Sequence, residues 1–272
     1  MLRATVNCST RDVPPLIPTD ALRILLSVAM LGYTSLSDLR TREVSDLNWI
    51  VFGGLGLVLD IYETSTGVLN PMALAVPILF STVLSFFIGY LGLFGGADFK
   101  AFVALALLQP HPPHLVKPML KTASVIYPLT VLSNSALAGA SFAVILLVRN
   151  LSVASAGSHL FEGLESERPW MKLIVLISGM KVKLDTVRGP PFQYPLEVPA
   201  LEEGAGRKLV MMPDLDDDEA AQDVFEKLRL AGVEEVWVSH TLPFLVFIAF
   251  GYVSALLVGD VALWMIMRLL SL

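Results

Sequence analysis

Two aspartates, Asp38 and Asp98, stand at the edges of apolar stretches in a chain with few charges. The apolar run that opens at Ala21 ends at Asp38, and Asp98 directly precedes the run that opens at Phe99. Carboxylates at membrane depth are costly, so they usually face a hydrated interior and mark a functional site. Two carboxyl groups that share a proton can activate a water as general base and protonate a scissile carbonyl as general acid. The pair therefore predicts peptide-bond hydrolysis, provided that the fold brings the two carboxyl groups together.

Small residues precede the second aspartate in the order Gly95, Gly96, Ala97. The apolar segment that follows, Phe99 to Gln109, covers only about 16 Å as a helix, roughly half of a hydrocarbon core near 30 Å. This shortness predicts either a locally thinned membrane or a broken helix that begins below the headgroups, beside water. The alternative is structural: the glycines form a tight helix contact, and each aspartate is an interfacial cap.

The composition places these residues in a membrane protein. The 272 residues are 54% hydrophobic and 16% charged, with a mean hydropathy of +0.67, which is too apolar for an ordinary soluble domain. A net charge of −6 disfavours nucleic acid as a partner, because such binding depends on Lys and Arg. The single cysteine, Cys8, excludes an internal disulfide framework and a four-cysteine zinc site. His111 and His114 have no third ligand nearby, so we expect neither a metal nor a cofactor.

The apolar stretches predict an all-α polytopic membrane protein with six transmembrane helices. Residues 1–20 read as an N-terminal tail, 21–149 as a membrane domain with helices one to five and both aspartates, 150–241 as a soluble cytoplasmic insert, and 242–272 as helix six. The insert should be a small α+β unit with strands at Lys172–Ile177 and Val233–Val238 and a helix at Asp216–Leu230. The six segments are Ala21–Ser37, Leu47–Tyr62, Met72–Phe94, Phe99–Gln109, Val125–Val148 and Leu242–Leu270.

The distribution of basic residues predicts the orientation. Arg40, Arg42 and Arg149 fall on one side of a six-span chain, and this side should be cytoplasmic. Counting the crossings then places both Asp38 and Asp98 at the cytoplasmic face of the plasma membrane. The insert between Leu151 and His240 holds sixteen acids against nine bases, a net −7 that could attract a basic peptide. A solvated acidic surface is the simpler interpretation of its Asp214–Glu219 run.

The residues around both aspartates resemble the archaeal preflagellin and prepilin peptidases, which are membrane aspartyl proteases of the GxGD type. The similar positions also include a stretch near the carboxyl end, from Val236-Trp237-Val238 through Pro243-Phe244 to Gly259-Asp260. In one departure, Ala97 stands where the strict motif has its second glycine, and we expect activity to survive this small change. The positions in the two catalytic regions are Tyr33, Asp38, Leu39, Arg40, Arg42, Glu43, Val44, Asp46, Trp49, and then Gly95, Gly96, Ala97, Asp98, Lys100.

The resemblance implies that Asp38 and Asp98 are catalytic. It implies substrates that are precursors of archaellins and type IV pilins, with a short basic leader, a glycine before the cut and an apolar helix after it. Proteolysis without methylation is expected, because a paired-cysteine domain like that of the methylating bacterial relatives is missing. The residues expected to bind substrate or support the site are Gly95, Gly96, Ala97, Lys100, Arg42 and Asp46.

Two other functions fit parts of the pattern. A proton- or ion-coupled transporter or channel could relay ions through Asp38, Asp98 and Asp260, although paired broken helices in two matching halves are not evident. A presenilin-like protease that cuts within helices is disfavoured, since the last segment has no Pro-Ala-Leu triplet.

Other charged residues have simpler expected roles. Glu43 and Asp46 are close enough to Asp38 in the sequence to compete for the catalytic role, but we expect them to pair with Arg40 or Arg42. Lys100 could steady a carboxylate, and the simpler expectation is that its ammonium group extends toward water. Asp60 and Asp260 are expected to be structural.

Overall fold

The computed structural model describes residues 17–91, 95–157, 159–200, 206–211, 217–240 and 243–270, and these residues are mostly helical. The described chain falls into two compact units, one formed by the residues up to Leu137 and from Phe244 onward, the other by Ala138–Pro243. The helices are α1 (Ile17–Thr41), α2 (Asp46–Ser65), α3 (Pro71–Tyr90), α4 (Gly96–Leu108), α5 (Tyr127–Ser155), α6 (Pro169–Ser178), α7 (Asp218–Leu230), α8 (Phe244–Leu257) and α9 (Val261–Leu270).

Three helical stretches in the described chain are long and apolar enough to cross a bilayer alone: Thr19–Thr41, Pro71–Tyr90 and Tyr127–Ser155. Helices α8 and α9 make a fourth candidate if they are taken as one broken span. Length and composition therefore support three or four spans, fewer than the six expected. The predicted third segment extended to Phe94, but residues 92–94 lie outside the described chain.

Helix α4 forms the centre of the first unit. It packs against α1, α2, α3 and α8. Its middle is fully apolar and buried, with Phe102 and Leu105 among the side chains that form the core with Met30, Trp49 and Ile248. The helix has 13 residues, or about 20 Å at the α-helical rise. The expected short fourth helix is thus confirmed, and its position is inside protein rather than against lipid.

The last apolar segment was expected to be one helix, but it is broken. Helices α8 and α9 meet at a bend of 58°. Gly259 lies at the break with φ +107°, and a Cβ there would approach the Thr122 carbonyl oxygen at 2.6 Å. Glycine permits this backbone conformation and the close approach. The break therefore has a local cause that a hydropathy pattern does not reveal.

The second unit contains a small antiparallel sheet. Its three strands are β1 (Gly179–Lys183), β2 (Gln193–Pro195) and β5 (Glu235–His240), in the order β1-β5-β2. A separate hairpin pairs β3 (Glu197–Pro199) with β4 (Arg207–Leu209). The strand expected at Val233–Val238 corresponds to β5, and the helix expected at Asp216–Leu230 corresponds to α7, although Asp216 lies outside the described residues.

Strand β5 is buried on both faces. Val236 and Val238 pack with Phe225 and Leu228 of α7. Trp237 points the other way, into a cluster that includes Val175 of α6. Since successive side chains of a strand alternate between faces, α6 and α7 cover opposite sides of this sheet.

The strand predicted at Lys172–Ile177 is wrong, because these residues belong to α6. Pro169 occupies the first turn of this helix, where its missing N–H is tolerated. In a strand Leu173, Val175 and Ile177 would share one face. Instead Val175 is fully buried while Leu173 and Ile177 are exposed, as helical spacing requires. The prediction relied on the β-branched residues of this segment, which is too short to show whether its apolar residues follow a helical or a strand period.

Candidate active site

A contact at the carboxyl end of α4 shows the direction in which α1 runs beside it. Arg23, near the start of α1, donates to the carbonyl oxygen of Leu108 at the end of α4. Helices α1 and α4 therefore run in opposite directions, and the last turn of α1 lies at the end of α4 where that helix begins. This arrangement brings Asp38 and Asp98, 60 residues apart in the sequence, to the same end of the first unit.

Asp98 is half-buried in the first turn of α4. Its Oδ2 atom accepts a hydrogen bond from the backbone N–H of Gly95 at 3.0 Å, so the carboxylate caps its own helix. A Cβ on Gly95 would lie 3.3 Å from that oxygen, whereas a Cβ on Gly96 would meet nothing within 4 Å. Glycine is thus needed more at position 95 than at 96. Ala97 lies inside the helix and packs against the apolar core, so its backbone needs no glycine.

Asp38 occupies the last turn of α1 and is also half-buried. Its carboxyl group interacts electrostatically with that of Asp98 and with the guanidinium group of Arg42. Arg42 follows the helix in a left-handed conformation, φ 59°, and its backbone N–H donates to the carbonyl oxygen of Asp38 at 3.1 Å. The turn at the end of α1 thus carries both a carboxyl group and the cation that acts on it.

Lys100 and Asp46 form an ion pair at the same end of the unit, with 2.5 Å between Nζ and Oδ1. Asp46 is the first residue of α2 and Lys100 is the fifth residue of α4, so the pair joins the beginnings of these two helices. Asp46 was expected to pair with Arg40 or Arg42, but it contacts Lys100, 54 positions away in the sequence. Lys100 was expected to steady a carboxylate or to extend toward water, and this contact corresponds to the first of these alternatives.

A buried ion cluster at the opposite end of α4 was missed from the sequence. The Arg23 guanidinium group donates to Glu63 through two atoms, at 3.2 and 2.9 Å, and to Asp60 at 2.7 Å. It also donates to the carbonyl oxygens of Leu107 and Leu108, at 3.2 and 2.9 Å. These carbonyl groups lie in the last turn of α4, where a helix lacks internal donors. One arginine therefore binds two acids of α2 and caps α4.

The sequence carried two signals for this cluster. Arg23 lies within an apolar run, and Asp60 and Glu63 are three positions apart, hence on one face of a helix. The structural role expected for Asp60 is confirmed by its bond to Arg23.

The structural role expected for Asp260 is also confirmed. Its Oδ1 atom accepts from the backbone N–H of Leu263 at 2.8 Å and from the Ser133 hydroxyl at 3.1 Å. Asp260 thus begins α9 after the 58° bend and ties it to α5.

Among the described residues, no group of three or more His, Cys, Asp or Glu side chains is placed to hold a metal ion. The described groups at the site that could take part in a reaction are therefore the two carboxyl groups and the charged side chains beside them.

Two family models match regions of this chain. The family model described as Type IV leader peptidase family matches residues 25–145, and the one described as Archaeal Peptidase A24 C-terminus Type II matches residues 171–261. The first match covers 121 of the 272 residues and the second covers 91. The chain is therefore similar to type IV leader peptidases in its first part and to archaeal A24 peptidases in its second.

Two curated leader peptidases extend the match over nearly the whole chain. The preflagellin peptidase of Methanococcus voltae is 24% identical over 248 residues, which is 87% of this chain and 96% of that protein. The preflagellin peptidase of Methanococcus maripaludis is 24% identical over 249 residues, 88% of this chain and 96% of that protein. The resemblance inferred from the residues around Asp38 and Asp98 is confirmed, and this chain is a peptidase with apolar helices typical of a membrane protein.

Proposed function

We propose that this chain is a membrane aspartic endopeptidase that removes short basic leader peptides from archaellin and type IV pilin precursors, with Asp38 and Asp98 as its catalytic pair. The observation that carries the proposal is the packing of α1 against α4 in opposite directions, which brings these two carboxyl groups to one end of the first unit. The family match over residues 25–145 contains both aspartates. The names of the two Methanococcus relatives supply the class of substrate.

In the proposed reaction, one carboxylate takes a proton from a water molecule, whose oxygen adds to the carbonyl carbon of the scissile peptide bond. The other carboxyl group gives its proton to the carbonyl oxygen. The resulting tetrahedral intermediate collapses as the C–N bond breaks, and the leaving amine takes up a proton from the pair. Because the two carboxyl groups titrate as a pair, neither is assigned a fixed role as general acid or general base.

The membrane arrangement that we propose has six crossings. Helices α1, α2, α3, α4 and α5 would each cross once, and the broken pair α8–α9 would cross as the sixth. The short α4 then begins beneath the headgroups of the cytoplasmic face, and Asp98 meets water there. Arg40 and Arg42, beside Asp38, follow the bias of basic residues toward the cytoplasm.

The substrate's basic leader fits the charge of the chain. The proposed cytoplasmic insert, residues 150–241, carries an excess of acidic residues, and such a field raises the local concentration of basic peptides. Gly95, Gly96 and Ala97 at the start of α4 leave room for an extended substrate backbone near Asp98. Arg42, Asp46 and Lys100 would support the site through their charges, and no metal or cofactor takes part.

The test is co-expression with a tagged preflagellin and with the same precursor carrying a substitution of the glycine before the cut. The wild-type chain should shorten the first precursor but not the second, as seen by gel mobility. Asp38→Asn and Asp98→Asn should each abolish the shift, while Glu43→Gln, which alters an exposed acid outside the proposed site, should retain it. Cleavage by either of the first two variants would remove that residue from the catalytic pair. Proton flux into proteoliposomes without cleavage would favour the transporter alternative instead.

A further inference from the structure

Helix α6 of the second unit is apolar on both of its sides. Its inner side is part of the unit's core, where Val175 is fully buried and Met171 packs against the same cluster. Its outer side exposes Trp170, Leu173 and Ile177, which are 46%, 54% and 36% accessible. These three residues follow the i, i+3, i+7 spacing of one helical stripe. Large side chains in such a stripe, outside the core, mark a surface that meets an apolar environment.

The end of α6 is fixed to the end of α5. The side-chain amide of Asn150, which is buried, donates to the carbonyl oxygens of Leu176 and Gly179 at 2.9 and 2.8 Å. Leu151, the next residue of α5, exposes half of its surface. The end of α6 that carries Ile177 is therefore held beside the last turns of a candidate membrane span.

The length of α5 sets the depth of this junction. Its 29 residues extend about 44 Å, longer than a hydrocarbon core of about 30 Å. The last turns of α5, which carry Asn150, thus emerge in the headgroup region. Arg168 and Lys172, at the start of α6, supply the cationic charge that is typical of helices lying at this depth. Tryptophan, here Trp170, is enriched at the same level.

We propose that α6 lies in the membrane interface, with Trp170, Leu173 and Ile177 inserted between lipid headgroups and acyl chains. The second unit would then be held on the bilayer by two attachments, the transmembrane α5 and the interfacial α6. This proposal concerns a surface remote in sequence from Asp38 and Asp98, and it stands whether or not they are the catalytic pair.

The experiment places a fluorescent probe on the stripe. Cys8 is the only cysteine, so Cys8→Ser gives a cysteine-free background for Leu173→Cys labelled with the environment-sensitive NBD fluorophore. The matched control is Leu230→Cys at the end of α7, which is 89% accessible and lies on the other side of the sheet from α6. Both full-length proteins are reconstituted in phosphatidylcholine–phosphatidylglycerol vesicles, with or without lipid spin-labelled at acyl carbon 5.

The spin-labelled lipid should reduce the emission at position 173 on the order of twofold, because an interfacial helix is buried about 5–10 Å into the headgroup–acyl boundary. Aqueous iodide should leave that emission nearly unchanged. The emission of the probe at Leu230→Cys should be quenched by iodide and nearly unchanged by the spin-labelled lipid.

Iodide quenching at position 173 equal to that at position 230 would overturn the proposal. Protection from both quenchers would also overturn it, since it would mean that protein covers the stripe. Leu173 is exposed, so its substitution removes no core contact, and an unchanged melting temperature in detergent verifies the fold of each labelled protein. None of these readouts depends on peptidase activity.

Discussion

The guanidinium group of Arg23 caps the helix that Asp98 begins, since its Nη1 atom donates to the Leu108 carbonyl oxygen at 2.9 Å. The same group holds Asp60 and Glu63 of α2. Arg23 thus joins three helices at the end opposite the two aspartates and sets the position of α4 along its axis. Displacing a reacting group by about 1 Å can lower the reaction rate on the order of 100-fold. Contacts far from the chemistry therefore bear on activity here.

Replacing Arg23 with methionine should destabilise the first unit by about 3–5 kcal/mol, because two acids would remain buried without their cation. The triple variant Arg23→Met, Asp60→Asn, Glu63→Gln should recover most of this loss. Thermal unfolding in detergent measures both, with Arg40→Met, an exposed arginine of the same helix, as the control. A melting temperature for Arg23→Met equal to that of the control would show that the cluster contributes nothing.

Alanine substitution should change the stability of the protein differently at two glycines of α2. A Cβ on Gly56 would lie 2.7 Å from the carbonyl carbon and oxygen of Leu107, whereas a Cβ on Gly54 would meet nothing within 4 Å. Gly56→Ala should therefore cost about 1–3 kcal/mol through overpacking against α4. Gly54→Ala should be neutral or stabilising by up to about 1 kcal/mol, through helix propensity. Equal melting temperatures for the two variants would contradict the close approach of α2 to α4.

Restoring the strict motif by Ala97→Gly should not increase cleavage. Ala97 lies within α4 and its methyl group packs against the core, so glycine would lose a contact and about 1 kcal/mol of helix propensity. The measurements are the cleavage rate of a preflagellin and the melting temperature. Gly54→Ala, at a position of α2 with free space, is the control and should retain activity. A tenfold faster Ala97→Gly enzyme would mean that the alanine restricts the site.

The stability of the second unit should depend on pH through Glu197. Burial raises the pKa of Glu197, although the Arg207 guanidinium group and the Trp237 N–H act in the opposite direction. The folded state then holds this proton more tightly than the unfolded state does. Stability is full below the ordinary carboxyl pKa and falls as pH rises through the raised pKa.

Thermal unfolding of wild type and Glu197→Gln between about pH 4 and pH 7 measures this effect, since the window brackets ordinary and raised carboxyl values. The variant should show the weaker pH dependence. Glu226→Gln, on the exposed side of α7, should follow the wild type. Parallel curves for Glu197→Gln and wild type would assign the pH dependence to other groups.

The sequence was informative where one residue type has a strong energetic preference. Charges that border apolar segments predicted that Asp38 and Asp98 lie at the same end of the helices, and the shortness of α4 could be predicted from the length of its apolar segment. Partners distant in the sequence could not be assigned in this way. Arg23 meets residues 37 to 85 positions away, and hydropathy gives no information on which helices adjoin. The same limit explains why the Asp46–Lys100 pair and the break at Gly259 were not foreseen.

The Arg23 cluster also has a consequence for how the protein is made. During synthesis Arg23 reaches the membrane before Asp60 and Glu63 have left the ribosome, and an unpaired arginine inside lipid is unstable there. We expect α1 to integrate stably only together with α2, as a helical hairpin. Fragments that end at residue 45 should be extracted from membranes by alkali, and fragments that end at residue 70 should resist it. Release of both would mean that later segments are needed as well, and retention of the shorter fragment would mean that α1 inserts alone.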